Sequence, residues 1–397
     1  MKDSSILKKL TIITLSLTAI LGLPYIGSLI HNKEGFGTIP SDLLSYPPIE
    51  PHPKAGFNLI FFCILAFIGL ALILLYFFPK LFRFKKTIDN DYNRKKGGKF
   101  PIWFWIGILA FFIPLGFLIS GTSEPAWLLN WSDLPLFWGF IFIIDGITFK
   151  RTAGESIIGS SPREMVGLAV ASVSGYLLFE YLNLFVGDLW YYEFGDLMPA
   201  NEFLLYAIVG SSGLMPMAFV WYSLLRTFKI MRNRFDNGIK LKFSDWLKNV
   251  ILVFGFASLV CSVIWPDLLF FSIWMAPLLI IAVLLSKMGI WSPFKEIEYG
   301  NWTPVLLFAV SYLFQGLCIE CWNYLSGTHV NGVLETSSAA YWKYSLPYVE
   351  NPKLFEMPLV GYLGYFPFSI FCWLWWILYA FQQGIPSKFA NLQSKGN

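Results

Sequence analysis

Long apolar runs separated by short polar segments are the dominant pattern along this chain. An α-helix needs about 20 predominantly apolar residues to cross the hydrocarbon core of a bilayer. The pattern therefore predicts an all-α polytopic membrane protein with about ten transmembrane helices. The runs lie at residues 10–30, 57–79, 101–121, 134–149, 164–186, 203–225, 247–265, 267–286, 303–325 and 358–381.

The composition leads to the same class. Hydrophobic residues make up 56% of the 397 residues and charged residues only 14%, against about 25% in an average soluble domain. These values exclude a water-soluble fold. All of the cysteines lie inside apolar runs, so we interpret them as small core residues and expect no disulfide framework.

The basic residues are divided unevenly between the two faces that alternate loops of this topology would occupy. By the positive-inside rule the basic face is cytoplasmic, and both termini lie there, as in a protein of a bacterial inner (cytoplasmic) membrane. The acidic residues favour the opposite, outer face. The basic start of the first run also resembles a signal peptide, but no Ala-x-Ala cleavage site follows it. Of the 29 Lys and Arg residues, the outer face receives only Lys33, Lys54, Lys343 and Lys353.

Two stretches of the chain carry the same sparse motifs in the same order, which predicts an internal duplication. The repeat unit is four spans. Because four is even, equivalent helices cross in the same direction and the repeats are parallel. The matched motifs are Trp131-Ser-Asp133 with Trp265-Pro-Asp267, Glu180-x-x-Asn183 with Glu320-x-x-Asn323, Trp190-Tyr-Tyr192 with Tyr341-Trp-Lys-Tyr344, and Gly210-x-x-Gly213-x-x-Pro216 with Gly361-x-x-Gly364-x-x-Pro367.

The duplication divides the chain into three regions. Residues 1–99 hold two extra N-terminal helices, with a Pro-rich outer loop and a basic inner loop. Residues 100–229 form the first four-helix repeat, and residues 245–384 form the second. Inside the second repeat, Pro266 separates two runs and leaves room only for a tight turn.

The Glu-x-x-Asn motifs are the strongest candidates for chemistry. Glu180 and Glu320 lie roughly one and a half turns before the predicted outer ends of their spans, and Asn183 and Asn323 share their helix faces. An intramembrane carboxyl is costly, and no basic residue lies beside either one in the outer half of a span. The two glutamates are therefore candidate acid/base or ligand-anchoring groups. A structural carboxyl–amide link between helices is the alternative.

Six further residues near the predicted outer surface are candidate substrate-binding groups. The four acids begin predicted helices and could equally be caps, and the two tryptophans could equally belong to an interfacial belt. The Pro-rich loop 31–56 is a candidate lid over them. These residues are Asp133, Asp267, Glu202, Glu356, Trp190 and Trp342.

The sequence indicates no particular cofactor and no metal site. The three histidines lack metal-ligand spacing, and Cys318-x-x-Cys321 lies inside a span. The chain carries no phosphate-binding loop, nucleophile elbow or zinc-protease motif. The basic loops suit anionic headgroups rather than nucleic acid. We expect membrane lipids and a hydrophobic small molecule as partners; the oligomeric state is not indicated.

Three functions remain open at this point. One is a site facing the outer leaflet that binds or modifies a lipid-like or isoprenoid molecule, which polarity on one side favours. The second is a cation- or proton-coupled transporter, although the inner halves of the repeat spans hold almost no ionisable residue beyond Asp145. The third is a structural or assembly protein whose repeated acids only link helices.

Overall fold

The computed structural model describes residues 2–32, 46–85 and 97–390. Most of the described residues are helical, in agreement with an all-α membrane protein. Residues 33–45 of the Pro-rich loop and residues 86–96 of the basic loop, which the sequence analysis singled out, lie outside the described residues.

The helices follow one another with few strands between them. The first half of the chain forms α1 (Lys2–Asn32), α2 (Leu59–Phe77), α3 (Ile102–Ile119), α4 (Ala126–Asn130), α5 (Asp133–Thr152), α6 (Ile157–Ser160), α7 (Pro162–Phe185), α8 (Ala200–Ser211) and α9 (Leu214–Leu225). The second half forms α10 (Lys229–Arg232), α11 (Asp245–Ile264), α12 (Pro266–Leu269), α13 (Ser272–Lys287), α14 (Phe294–Ile297), α15 (Thr303–Leu325) and α16 (Tyr365–Gln383). Short 3₁₀ segments lie at Pro79–Phe82, Gly195–Leu197 and Leu359–Gly364.

Among the described residues, eight helical segments are long and apolar enough to cross a membrane. Two predicted spans are not among them. The predicted span 134–149 forms the 20-residue helix α5, but Asp145, Lys150 and Arg151 lower its apolar character. The predicted span 267–286 is divided into α12 and α13, and α13 has only 16 residues. Pro266 begins α12 with only Trp265 between it and the end of α11, as its missing N–H predicts.

Burial increases from the edge of the bundle to its centre. None of the residues of α2 is buried, although its mean hydropathy reaches 3.0. A fully apolar helix that packs against protein on one side only, through residues such as Phe61 and Leu65, needs lipid on the other. By contrast, more than half of the apolar windows of α7, α15 and the joined α8–α9 segment is buried inside the protein. These central helices therefore form the core on which the site is built.

Small residues allow the closest helix contacts. A Cβ added to Gly139 of α5 would lie 2.6 Å from the backbone nitrogen of Phe111 on α3, and one added to Gly107 would lie 2.8 Å from the carbonyl oxygen of Gly139. Glycine at both positions lets the two backbones approach, as is common between membrane helices. Among the helix pairs that pack are α5 with α9, α13 with α16, α9 with α15, and α7 with α16.

The helix that was predicted as span 203–225 is interrupted inside the protein, between Ser211 and Leu214. The interruption lies one turn before Pro216, which cannot donate a backbone hydrogen bond to that turn. Neighbouring helices satisfy the exposed carbonyls: Ser172 Oγ donates to Ser211 O at 2.6 Å, and Gln315 Nε2 donates to Leu214 O at 2.6 Å. Such a break is tolerated in a membrane only where protein surrounds it.

Short antiparallel strands, which the sequence analysis did not predict, order the loops at one end of the bundle. They are β1 (Trp190–Tyr191) with β4 (Lys343–Tyr344), β2 (Gly327–Val330) with β3 (Val333–Ser337), and β5 (Lys353–Leu354) with β6 (Met357–Pro358). The β2–β3 turn is Asn331-Gly332, both at positive φ, which is a strong hairpin signal.

Loops from both halves of the chain meet at this end, which we call the acidic end. It comprises residues 46–58, 120–132, 186–199, 265–271 and 326–358. Its cross-contacts include the hydrogen bonds from Ala339 N to Asn130 Oδ1 and from Tyr192 N to Pro48 O. The opposite end, formed by residues 97–101, 150–163, 226–244, 287–302 and 384–390, is called the basic end.

Candidate functional site

Glu180 lies on α7, 4% exposed, below the loop that follows this helix. Its Oε1 accepts two hydrogen bonds, from Trp190 Nε1 at 2.8 Å and from Tyr192 OH at 2.9 Å. Tyr176, one turn earlier on α7, places its hydroxyl 2.8 Å from that of Tyr192. Glu180 is therefore capped from the acidic end by aromatic donors.

Glu320 on α15 has the same kind of environment. The side chain is fully buried, and its Oε1 accepts from Tyr344 OH at 2.6 Å and from Tyr365 OH at 2.8 Å. Trp342 supports Glu320 indirectly, because its Nε1 donates to Tyr344 OH at 3.0 Å. Gly316 makes room for this arrangement: a Cβ there would lie 2.5 Å from the Tyr365 ring.

The two asparagines hold the backbone of the aromatic loops. Asn183 Oδ1 accepts from Leu189 N at 2.7 Å, and its Nδ2 donates to Trp190 O at 2.8 Å. Asn323 binds both backbone groups of Trp342 in the same way, at 3.0 and 2.9 Å. An amide is suited to this task because it offers a donor and an acceptor together. Both asparagines are fully buried.

The two aromatic loops also pair with each other. Trp190 is opposite Tyr344, and Tyr191 is opposite Lys343, in the antiparallel pair of β1 and β4. Each strand thus contains a direct donor to one glutamate: Trp190 for Glu180 and Tyr344 for Glu320. Beside the ladder, the Lys343 ammonium contacts the Glu193 carboxylate. The glutamates and both loops form one connected hydrogen-bonded layer.

Each glutamate has one oxygen outside this network. Glu180 Oε2 and Glu320 Oε2 are buried without a hydrogen-bond partner among the described residues, and the same holds for Asp133 Oδ1. Asp133 itself is 5% exposed and accepts a 2.5 Å hydrogen bond from Tyr206 OH. It lies in the first turn of α5, as a helix-start acid should, but its side chain binds another helix rather than capping its own.

The other predicted acids are more scattered. Glu202 is exposed and, among the described residues, accepts a 3.4 Å contact from Trp131 Nε1. Glu356 does not begin a helix, as the sequence suggested, but lies in the turn between β5 and β6. There Tyr341 OH donates to it at 2.6 Å, and the amine of Lys353 lies 3.8 Å away. The structure therefore joins Glu356 to the aromatic loop and leaves Glu202 at the surface.

Asp267 lies apart from both glutamates, on the wall of a cavity at the acidic end. Its Oδ2 accepts from Ala55 N at 2.9 Å, which joins it to the Pro-rich segment. Lys54 in the same segment donates to Val186 O at 2.6 Å. Burial lowers the pKa of Lys54 to about 8, although the carboxylates of Asp267 and Asp188 act in the opposite direction.

This cavity has a volume of about 550 Å³ and an amphipathic lining. Its apolar wall comes from the ends of α7 and α11, including Leu184, Phe185 and Val263, and its polar wall includes His52 and Asp267. Of the described part of the predicted lid, residues 52–54 line it. Glu180 and Glu320 do not line it.

Sequence reasoning missed the tyrosines that bind the glutamates. Tyr192, Tyr344 and Tyr365 are direct donors; Tyr192 and Tyr344 were predicted only as members of the repeated aromatic segments, and Tyr365 was not singled out. A usable signal was present, because Trp-x-Tyr occurs at both Trp190 and Trp342.

Within the described part of the chain, no group of three or more His, Cys, Asp or Glu side chains is placed to hold a metal ion.

The comparisons with known proteins add no relationship to this geometry. No protein-family model matches the chain, and no match was found among curated proteins or solved structures.

Proposed function

We propose that this membrane protein binds an amphipathic, lipid-like molecule in the cavity at its acidic end. The amphipathic lining carries the proposal. An apolar wall formed by helix ends beside a polar wall suits a ligand with a hydrocarbon portion and a polar head. By the charge distribution of the loops, this end faces away from the cytoplasm, so the ligand would come from the outer leaflet.

The helix contacts support the proposal of two parallel four-helix repeats within a topology of ten spans. When the two predicted repeats are aligned by their matched motifs, α3, α5, α7 and α8–α9 correspond to α11, α13, α15 and α16. The α5–α9 pair then corresponds to α13–α16, and α9–α15 to α7–α16. Antiparallel pairing of the two Trp-x-Tyr segments is what a twofold axis between them would produce. Both repeats would thus contribute to the acidic end.

Within this proposal, the two glutamates act as anchors that hold the loops over the helices. Each accepts two hydrogen bonds from loop or neighbouring-helix side chains, and neither lines the cavity. This arrangement also favours a second candidate function, a purely structural protein in which the carboxyls only link elements.

Transport receives less support from the contacts. Asp145, the ionisable residue that the sequence places in the inner half of the repeat spans, accepts four hydrogen bonds. Its donors are Trp103 Nε1, Ser156 Oγ and the backbone N–H groups of Ile157 and Ile158. A carboxylate with that many donors is held in place rather than poised to exchange a cation.

The ligand proposal is tested by purifying the full-length protein in native-lipid discs and identifying retained molecules by mass spectrometry. Leu184→Trp places a large ring in the apolar wall and should displace the ligand. Leu204→Trp on α8, half-exposed and outside the cavity lining, is the matched control and should retain it.

The double variant Glu180→Gln with Glu320→Gln separates the cavity from the glutamate layer. Glutamine keeps an acceptor oxygen for the aromatic donors, so the loops should hold and the ligand should be retained. Loss of the ligand from this double variant, with retention in Leu184→Trp, would contradict the cavity as the site. If the wild-type protein retains no specific molecule, the ligand proposal fails and the structural function is the one that remains.

A further inference from the structure

A second cavity, at the basic end, is lined by positive side chains. It has a volume of about 290 Å³ and lies where the end of α5, the start of α6, the end of α9 with the chain after it, and residues 388–389 come together. Its lining includes Arg151, Arg226, Arg232 and Lys388, against the single carboxylate of Glu155. The sequence analysis assigned these residues only to the general basic face.

The positive side chains come from three separated parts of the chain. Arg151 belongs to the last turn of α5, Arg226 and Arg232 follow α9, and Lys388 follows α16. Their convergence is therefore a property of the fold, not of one basic loop. Four cations against one carboxylate give the lining a net positive charge, which favours binding of an anion.

Arg151 is held by its neighbours in a defined position. Its Nε donates to Thr227 Oγ1 at 2.7 Å, and its guanidinium lies 4.2 Å from the centre of the Phe228 ring. A fixed planar guanidinium presents its N–H groups in the fork that suits carboxylate and phosphate oxygens. Arg226 is steadied by the Tyr222 ring, 5.7 Å from its guanidinium carbon.

Lys388 is positioned by a buried carboxylate. Glu164 Oε1 accepts from Ser387 Oγ at 2.5 Å and from Lys388 N at 3.0 Å, which fixes the chain after α16 against the start of α7. The Lys388 ammonium then reaches Ser156 O at 3.4 Å and contacts the Ser160 hydroxyl. The acid therefore holds the backbone, while the ammonium is directed to the cavity wall.

We infer that this cavity binds a phosphate group. Several cations from different elements favour a compact anion with several acceptor oxygens, and phosphate meets this requirement better than a single carboxylate. The cavity lies at the end whose loops the positive-inside rule places at the inner leaflet. The phosphate could belong to a lipid headgroup or be free inorganic phosphate; the recognising chemistry is the same. This inference concerns a different cavity from the proposed function and does not depend on it.

The test uses full-length protein and two probes. In the first arm, native mass spectrometry counts phosphatidylglycerol molecules retained against a phosphatidylcholine background. In the second, inorganic phosphate is titrated against the thermal unfolding of the protein in phosphatidylcholine discs. The variants are Lys388→Gln, whose side chain is exposed enough to be replaced without unfolding, and the double variant Arg226→Gln with Lys388→Gln.

The control removes equal charge from the same end. Arg163→Gln with Lys229→Gln replaces two exposed basic residues that do not line the cavity. We expect one of the probes to bind the wild type, with affinity falling about tenfold in Lys388→Gln and further in the double variant, because charge-assisted hydrogen bonds are lost. The control pair should keep wild-type affinity.

The two arms identify the source of the phosphate. A dependence on the cavity cations in the lipid arm alone assigns a headgroup, and in the phosphate arm alone assigns the free ion. Binding of neither probe, or an equal loss in the control pair, overturns the inference, because the cations would then contribute only general surface charge.

Discussion

Glu180 and Glu320 are held by equal numbers of direct donors, but by different residues. Glu180 receives both donors from the loop after its own helix, Trp190 and Tyr192. Glu320 receives one from the equivalent loop and one from Tyr365 on α16. The two halves thus share the buried carboxyl but differ in the elements that supply its hydrogen-bond donors.

The proposed alignment of the two repeats shows why the donors come from different helices. Tyr176, one turn before Glu180, corresponds to Gly316 before Glu320, and Leu214 corresponds to Tyr365. Where α7 supplies a tyrosine, α15 has a glycine, and the Tyr365 ring of the neighbouring helix lies against that glycine. A tyrosine from a helix therefore joins the hydrogen bonds around each glutamate, from α7 in one half and from α16 in the other. The asparagines, by contrast, act similarly in both halves: each binds one backbone N–H and one backbone C=O of its aromatic loop, and we call this pair of hydrogen bonds an asparagine clamp.

The largest effect should follow from removing an asparagine clamp. Asn323→Ala leaves the buried N–H and C=O of Trp342 without partners, and Asn183→Ala does the same to Leu189 and Trp190. Two unsatisfied backbone groups should lower the free energy of unfolding by about 3 kcal/mol in each variant. Thermal unfolding of the purified variants measures the effect.

Exposed Asn201 on α8 provides the control, since Asn201→Ala should leave stability within about 0.5 kcal/mol of the wild type. If both clamp variants have the same free energy of unfolding as this control, the asparagines do not secure the loops. If only one clamp matters, the two halves differ more than their contacts indicate, and the proposed equivalence loses its best support.

The sequence was most informative where lipid or a helix face imposes a strong pattern. Eight long apolar helices formed where uncharged runs predicted them, because a run of that length has few alternatives in a membrane. The motif at Glu180 and Asn183 also indicated correctly that both side chains share a helix face, since both contact the same loop. Helical periodicity determines that much locally.

The partners of those residues could not be predicted in the same way. Tyr365 is 45 residues from Glu320 along the chain, and their contact depends on how α15 and α16 pack. Glu356 was misplaced because the β5–β6 turn has no strong local signal. The cavity at the acidic end is lined by the ends of α1, α7 and α11, by α12 and by two separate loops, so no single segment carries its pattern.

Gly316→Ala should have the next largest effect, because it fills the space that the Tyr365 ring occupies. A Cβ at this position would lie 2.5 Å from the ring, whose hydroxyl is bound to Glu320. Overpacking of this kind costs about 1–3 kcal/mol of unfolding free energy, more than the helix propensity of alanine returns. Gly364→Ala is the control, with open space around its Cβ. Equal stability of the two variants would show that Tyr365 is free to move.

The smallest effect separates direct donors from indirect ones. Tyr365→Phe removes one of two hydrogen bonds to Glu320, whereas Tyr176→Phe leaves the two direct donors to Glu180, Trp190 and Tyr192, in place. Tyr365→Phe should therefore lower the unfolding free energy by about 1–2 kcal/mol and Tyr176→Phe by less than about 1 kcal/mol, read from thermal unfolding. The reverse order would mean that Tyr176, not the loop, is the main support of Glu180.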